Sequence, residues 1–268
     1  TFNGNTVTRD AFYTDRKGFG TNDYPSGMLA YDVTADFNAS GNTAVLENTN
    51  PVAGNPSIYG MLLVAVYEKD DEPERMIWLN EECDLLYASV NDSVTSEEAT
   101  AYAPFDGAIA DVSNKSATLI TVVPSGNEGD NKNRLYFNDG VWQGVWDGYA
   151  GDTQLSLKGT DVSANLSATD NCAQLQSTIP EGDTKGDYMV ATNAILVVEL
   201  KLLKGDIDGN GEVNLNDAIY LAKHVLGWSG YEVIHANGDI NGDGKVETND
   251  AIYLAKHVLG WKGYEEIH

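Results

Sequence analysis

The sequence predicts a mainly β protein, with an N-terminal antiparallel β-sandwich followed by a small, α-helical C-terminal domain. Three observations support this fold class. Residues 1–203 contain recurring apolar runs of strand length, separated by clusters of Gly, Asn, Asp and Pro. Residues 205–235 and 238–268 are two gapless copies of one sequence. Each copy contains a stretch with the apolar spacing of a helix. The expected domains are 1–203 and 204–268.

The N-terminal strands are predicted from runs that mostly alternate apolar and polar residues, with almost no helical periodicity. Roughly ten such strands in one domain indicate two antiparallel sheets packed as a sandwich. The predicted strands are Met28–Phe37, Thr43–Glu47, Ile58–Glu68, Arg75–Leu79, Leu85–Ser89, Ala117–Val123, Arg134–Phe137, Gln154–Leu157, Ala173–Thr178 and Tyr188–Leu203.

The composition limits the possible partners. The chain has 268 residues, is 42% hydrophobic and carries a formal net charge of −25, so a packed core and a strongly acidic surface are expected. Such a charge argues against binding to nucleic acid or to anionic lipid, which both attract Lys and Arg. No apolar run approaches the roughly 18 residues of a membrane span.

Several weaker features favour an extracellular or cell-surface location. Cys83 and Cys172 allow a disulfide in an exported protein, and two buried free thiols are the alternative. Four sequons allow N-linked glycans if the chain is exported. They lie at Asn38, Asn91, Asn114 and Asn165.

The two C-terminal copies are too similar to have arisen by chance. They align at an offset of 33 residues, and 24 of 31 positions are identical. Two copies are too few for a solenoid, so they predict one domain with pseudo-twofold symmetry.

Each copy opens with an acidic loop, 206–217 or 239–250, that has the spacing of a calcium site. Calcium takes six to eight oxygen ligands, which a tight loop supplies from positions 1, 3, 5, 7, 9 and 12, with glycine at position 6. Position 7 contributes a backbone carbonyl, and position 9 acts directly or through water. An ordinary Asp/Asn/Gly turn is the alternative, and magnesium fits less well. The predicted ligands of two calcium ions are Asp206, Asp208, Asn210, Glu212, Asn214 and Asp217, and Asp239, Asn241, Asp243, Lys245, Glu247 and Asp250.

A helix is predicted after each loop, ending at Gly227 and Gly260. One face is expected to form the shared core, with Trp228 and Trp261 packed back on the helix pair and Val213 and Val246 joined by a β-bridge. The expected core residues are Ile219, Ala222, Val225 and Leu226, with Ile252, Ala255, Val258 and Leu259.

The other face of each helix is expected to contact a partner, or alternatively to be solvated. Its residues are Tyr220, Lys223 and His224, with Tyr253, Lys256 and His257.

Two calcium loops, each followed but not preceded by a helix, with aspartate at position 12, resemble a type I dockerin over residues 205–268. The resemblance implies a module that folds on calcium and docks onto a cohesin, which is a β-sandwich domain. Loop positions 10 and 11, often Ser/Thr in bacterial dockerins, are Leu215-Asn216 and Thr248-Asn249 here. The segments Trp78–Leu86 and Leu135–Trp142 resemble an uncharacterised domain of archaeal surface proteins.

The N-terminal domain is not expected to be an enzyme. It contains no histidine, which excludes His-based triads and zinc hydrolase sites. Carboxylate pairs occur at Glu81-Glu82-Cys83-Asp84 and Glu97-Glu98, but most acidic residues of so acidic a domain are surface groups. Sugar binding by Trp142, Trp146 and Tyr149 is an alternative to their packing in the core. Further calcium is a possibility at Glu128–Asn131 and Asp170-Asn171.

The leading functional hypothesis is a secreted structural subunit. Its dockerin would dock onto the cohesin-like β-sandwich of the next identical chain, forming a filament. Residues Thr1–Asp15 could extend across a neighbour as an added strand. The alternative is a cargo protein, whose carbohydrate-binding or glycan-acting sandwich is anchored by the dockerin to a separate cohesin scaffold.

Overall fold

The computed structural model describes residues 1–19, 22–47, 57–69, 75–110, 112–126, 131–148, 154–200 and 203–268. The chain divides into two compact units, each discontinuous in sequence. One comprises Thr1–Leu63, Trp78–Ala108 and Thr118–Leu196, and the other Val64–Ile77, Ile109–Ala117 and Val197–His268. The predicted boundary between residues 203 and 204 stays a prediction. No helix in the described ranges is long and apolar enough to cross a membrane.

The secondary structure is mainly β, as predicted. The described strands are β1 Ala11–Phe19, β2 Asn22–Ala30, β3 Arg75–Leu86, β4 Thr100–Phe105, β5 Lys115–Pro124, β6 Asn133–Phe137, β7 Gly140–Gln143, β8 Leu155–Asp161, β9 Asn171–Ser177 and β10 Met189–Leu200. The helices are α1 Leu215–Val225 and α2 Thr248–Val258.

The strands form antiparallel sheets. β1 and β2 make a hairpin, and the other strands make two four-stranded sheets, in the orders β3-β10-β5-β8 and β4-β9-β6-β7. Burial alternates along β4 and β6, as expected for strands with one face in a core. These sheets confirm the predicted antiparallel β fold class.

Trp146 is one of the largest side chains buried in the core. Its side chain is fully buried, and its indole N–H donates to Thr121 Oγ1 at 3.0 Å. The buried Asn133 side chain donates to the Trp146 carbonyl and to Asp187 Oδ2, and accepts from the Trp146 backbone N–H. Packing, the preferred alternative for this residue, is therefore confirmed. Trp142 is half-buried, and Tyr149 lies outside the described residues.

Several strand predictions were wrong. Thr43–Glu47 contains one isolated bridge, at Ala44, and Ile58–Glu68 forms no strand. The predicted strand Arg75–Leu79 belongs to β3, which continues only to Leu86. Of the predicted strand Leu85–Ser89, therefore, the first two residues lie in β3, and Ser89 forms isolated bridges. Met28–Phe37 overlaps only the end of β2, because the chain then enters a 3₁₀ turn at Thr34–Asp36. Strands β1, β4 and β7 were not predicted.

The N-terminal residues contact their own chain. Phe2 is buried and bridges to Ala44, and the Thr1 amino group donates to the Val45 carbonyl at 2.7 Å. Residues 11–15 belong to the β1–β2 hairpin. The hypothesis that Thr1–Asp15 crosses to a neighbour is therefore not supported by this arrangement.

Cys83 and Cys172 are free thiols, so the disulfide alternative is wrong. Cys83 is buried, and burial raises the pKa of its thiol to about 11.

Among the sequons, Asn38 and Asn91 are exposed and Asn165 is half-buried, while the Asn114 side chain lies outside the described set. Glycosylation stays a prediction.

Candidate metal sites in the C-terminal repeat

The first acidic loop folds around the side chain of Asp206. This carboxylate is buried and accepts hydrogen bonds from the backbone N–H groups of Asn210 at 3.0 Å and Gly211 at 2.9 Å. Gly211 has a φ of 87°, a left-handed conformation in which a side chain is strained. Glycine at position 6 therefore permits the sharp bend that turns the loop back on its first residue.

Asp217, the last loop residue, links the loop to helix α1. Its Oδ1 accepts from the N–H groups of Ile207 and Asp208, and its Oδ2 accepts from the N–H of Asn214. Asn214 in turn caps α1, accepting from the Asn216 N–H at 2.8 Å. One buried carboxylate thus fixes both the loop and the start of the helix.

The carboxylates of Asp206, Asp208 and Asp217 come together, with one oxygen of each within 4.8 Å of the others. Burial raises the pKa of Asp206, and the neighbouring Asp217 and Asp208 carboxylates raise it further, although the N–H groups of Gly211 and Asn210 oppose this. Burial also raises the pKa of Asp208. Three converging carboxylates of like charge are costly without a cation between them.

The donor set fits calcium. It consists of carboxylate, amide and carbonyl oxygens, which calcium prefers. Asp206, Asp208, Asn210 and Asp217 would supply side-chain oxygens. Glu212 is exposed, which suits a position that contributes its backbone carbonyl. In the described part of the chain, this is the one group of three acidic or metal-binding side chains brought so close together.

The second loop repeats the main hydrogen bonds of the first, although position 3 is Asn241 rather than an aspartate. Asp239 accepts from the N–H groups of Asp243 and Gly244, and Asp250 accepts from those of Ile240, Asn241 and Glu247. Asp250 is buried, as its counterpart Asp217 is. Lys245 is exposed at position 7, where the backbone carbonyl and not the side chain is the predicted ligand. The pseudo-twofold repeat predicted from the sequence therefore extends to individual hydrogen bonds.

Among the described residues, the calcium sites predicted in the β-domain show no cluster of acidic side chains like that of Asp206, Asp208 and Asp217. Residues 128–130 lie outside the described residues, and Asp170 is exposed. The buried Asn171 side chain already bonds to Ser167 and Asn138. Further calcium there stays a prediction.

Comparison with known families agrees with this geometry. Residues 1–199 match the family described as Protein of unknown function (DUF3344), and residues 204–259 match the Dockerin type I domain. The chain belongs to the DUF3344 family. No curated protein matches it. The dockerin resemblance predicted from the sequence is thus confirmed, while the likeness to archaeal surface proteins stays a prediction.

The C-terminal part of this DUF3344 protein is a type I dockerin module. Such modules bind calcium and a cohesin partner, and they are typically extracellular or at the cell surface. The module therefore gives the chain a calcium-binding, protein-binding role in assembly.

The dockerin core differs from the predicted one. Six residues form it: Ile207, Ala218, Leu221, Ile240, Ala251 and Leu254. Four of the predicted core residues are only partly buried and pack against these six: Ala222, Val225, Ala255 and Val258. Ile219 and Leu226 are 51% and 62% exposed, and Ile252 and Leu259 are also exposed, so their assignment to the core was wrong. Trp228 and Trp261, predicted to pack back on the helices, are more than half exposed, and each ring lies 5.8 Å from the Nζ of a lysine on its own helix, Lys223 or Lys256. Val213 packs against the core, but no bridge to Val246 is assigned among the described residues.

The helices end as predicted, at Gly227 and Gly260, which both have a φ of 68°. Each repeat then continues into a tail, 228–235 or 261–268, that folds back on its own repeat. The His235 N–H donates to the Ile207 carbonyl, and the His268 N–H to that of Ile240, both at 3.1 Å. Each tail therefore closes onto its own calcium loop.

The predicted partner face lies under these tails. Lys223 Nζ donates to the Tyr231 hydroxyl at 2.7 Å, His224 Nδ1 lies 2.8 Å from the Tyr231 carbonyl, and the Tyr220 ring packs on the Tyr231 ring. Tyr253, Lys256 and His257 make the same contacts with Tyr264. Their role in partner binding stays a prediction, but these side chains are half-buried within the module.

Replacing Tyr231 and Tyr264 together by phenylalanine removes both lysine–tyrosine hydrogen bonds and keeps the rings. We expect the calcium-loaded module to lose about 1 kcal/mol of unfolding free energy per repeat. Thermal unfolding followed by circular dichroism would measure this. An unchanged melting temperature would show that the tails add nothing to stability through these bonds.

Proposed function

We propose that this protein is an extracellular structural subunit whose calcium-loaded dockerin docks onto the cohesin-like β-sandwich of the next identical subunit, forming a filament. The observation that carries the proposal is a doubled apolar surface on the dockerin. Ile219 on α1 and Leu226 at its C-cap, and Ile252 on α2 and Leu259 at its C-cap, are exposed at equivalent positions. These four residues are called the apolar stripe below.

The apolar stripe is costly in an isolated module. Small soluble domains seldom expose aliphatic residues in repeated clusters unless a partner covers them. Exposed Trp228 and Trp261 follow the helices, and tryptophan is enriched at the centres of interfaces. The stripe is apolar, so it favours a partner surface with few charges.

An identical subunit is the partner that the chain itself supplies. The chain combines a dockerin with an antiparallel β fold, the general class to which cohesins belong. Contact between two different surfaces of identical chains is heterologous, and such a contact builds an open polymer when its rotation does not close a ring. Repeated docking would then extend the chain of subunits without further components.

The proposal includes no catalytic step. Glu98 accepts hydrogen bonds from the Thr95 N–H and hydroxyl, which lower the pKa of its carboxyl group and give it a role in a turn. Glu81 accepts from the Tyr13 hydroxyl at a long 3.4 Å. Neither arrangement resembles a positioned pair of an acid and a base.

Sedimentation velocity and electron microscopy of the purified full-length chain test the filament. We expect long particles in calcium and their disassembly when a chelator is added. A protein that stays monomeric in calcium at high concentration, and associates only when a cohesin is added, would contradict homotypic docking and favour anchoring to a separate scaffold.

One observation favours that alternative, in which the protein is a glycan-binding cargo. An open pocket of about 480 Å³ is lined by Asn138, Asp139, Asn165, Thr169 and Asp170, among others. The Trp142 ring lies next to Asn165, since both approach Gly140 closely. Polar groups beside an aromatic ring suit a sugar. Binding of the full chain to a glycan array, reduced by Trp142→Ala, would support the cargo function.

A further inference from the structure

The segment Ser57–Glu68 has the composition of a strand, but within the described residues it is not paired with another strand. It is rich in aliphatic and aromatic residues and was predicted to be a strand, yet it has no regular secondary structure. Its large apolar side chains are exposed, up to 75% at Tyr67. The exposed residues are Ile58, Met61, Leu62, Leu63, Val64, Val66 and Tyr67.

The backbone of Ser57–Glu68 is also unpaired within the part of the chain that the structure describes. Residues 57–68 make no hydrogen bond to the described part of the chain. A run of β-forming residues with free N–H and C=O groups is a template for pairing with another strand. Consecutive apolar residues, rather than alternating ones, are typical of a strand that is covered on both faces. Among the described residues, Ser57–Glu68 therefore has no paired neighbour, and most of its apolar side chains are exposed.

The charge distribution selects a second copy as the occupant. Each chain carries a net charge of −25, so two copies repel one another over most of their surfaces. Ser57–Tyr67 contains no charged residue, which makes it a place where two copies can approach without that penalty. An identical segment running antiparallel is also self-complementary, because a twofold axis relates the two partners.

We propose that Ser57–Tyr67 pairs antiparallel with the same segment of a second copy of this chain. A register centred between Leu62 and Leu63 places Ile58 opposite Tyr67, and Gly60 opposite Ala65. In this register an aromatic residue forms a cross-strand pair with a β-branched residue, and the two small residues form another pair. The contact needs neither calcium nor the apolar stripe of the dockerin, so it goes beyond the proposed docking.

The contact is small. Eleven residues a side fall below the roughly 20–30 residues of a standard interface, so pairing alone gives a weak, concentration-dependent dimer. Within a filament, docking would raise the local concentration of the segment and strengthen the pairing. Such contacts would join filaments laterally.

The test uses the full-length chain in calcium with Ile219→Asp and Ile252→Asp, which remove the proposed docking. We expect this protein to form a dimer as its concentration rises, measured by sedimentation equilibrium. We also expect amide exchange of residues 58–67 to slow in parallel. Val64→Lys with Val66→Lys should weaken the dimer at least about tenfold by placing like charges in the pairing strands. The matched control is Val90→Lys, at a valine that is 59% exposed elsewhere, which should leave the dimer unchanged.

Two results would overturn the proposal. One is a protein that stays monomeric at every concentration with fast exchange of the segment. The other is slow exchange that is independent of concentration, which would mean that the segment closes onto its own chain; the Leu155 side chain of β8 already lies close to Gly60. The dimer is measured in a variant that cannot dock through the apolar stripe. A failure of the strand pairing is therefore seen separately from a failure of the proposed docking.

Discussion

Removal of calcium is expected to unfold the dockerin module and leave the β-sandwich folded. The module depends on a six-residue core that includes two alanines, which is too small to stabilise about 64 residues by burial alone. Without the cation, the carboxylates of Asp206, Asp208 and Asp217 crowd together in the loop, one oxygen of each within 4.8 Å of the others. Metal binding therefore supplies part of the folding free energy.

Asp217→Ala combined with Asp250→Ala should reproduce the effect of a chelator. Each substitution removes a buried aspartate that is a predicted calcium ligand and that accepts three backbone hydrogen bonds. We expect a loss of several kcal/mol, since buried N–H groups left unpaired cost about 1–3 kcal/mol each. Far-UV circular dichroism should lose the helical signal, and differential scanning calorimetry should retain only the transition of the β-sandwich.

The matched control replaces Glu212 and Lys245 by alanine. Both residues stand at position 7, where the backbone carbonyl is the predicted ligand and the side chain is exposed. Calcium affinity and melting temperature should change little. If chelation or the aspartate variant left the spectrum and the melting curve intact, the module would not depend on calcium.

The calcium loops could be predicted from the sequence because their geometry is local. All the predicted ligands of one site lie within twelve residues, and the bend at Gly211 depends on the backbone freedom of one residue. The role of Asp217 in capping α1 follows from its position three residues after Asn214. Local rules of this kind do not need knowledge of the rest of the fold.

The core face of the helices could not be predicted in the same way. Helix α1 and its C-cap carry two apolar stripes. One runs through Ala218 and Leu221, and the other through Ile219 and the C-cap residue Leu226. Spacing alone does not distinguish them. The second repeat covers the first stripe, while the larger residues of the other stay exposed. The more hydrophobic stripe was predicted to be core, and it is the one available for a partner.

The strand errors also arise from contacts distant in sequence. β4 is a short strand with two alanines and a proline, and it is held by pairing with β9, where Thr100 lies opposite Gln176. Such pairing is not visible in a local pattern. Ile58–Glu68 is the reverse case, because its residues favour a strand but the described chain provides no partner. The composition of a segment predicts whether it can form a strand. Whether the strand forms depends on a neighbouring strand that the fold places beside it.

The second large effect is expected at the apolar stripe. Ile219→Asp combined with Ile252→Asp should abolish the calcium-dependent particles and leave the folded module intact, because both side chains are exposed before docking. Loss of an apolar anchor at the centre of an interface costs about 2 kcal/mol or more, and a buried, unpaired carboxylate adds to this. Both substitutions are needed because the twofold repeat presents the same stripe twice. A single variant should lose only about half of the docking orientations, a twofold effect on affinity.

The comparison that decides between the two faces uses Lys223→Ala with Lys256→Ala. These lysines belong to the face first predicted to bind the partner, but they donate to the tyrosines of the tails. If the apolar stripe carries the docking, the lysine pair should lower the melting temperature moderately and leave particle formation intact at low temperature. The isoleucine pair should leave the melting temperature nearly unchanged and abolish particle formation. Particles that survive the isoleucine pair and disappear with the lysine pair would assign docking to the tyrosine, lysine and histidine face. The tails would then have to open for the partner to bind, which hydrogen exchange at residues 228–235 and 261–268 would detect.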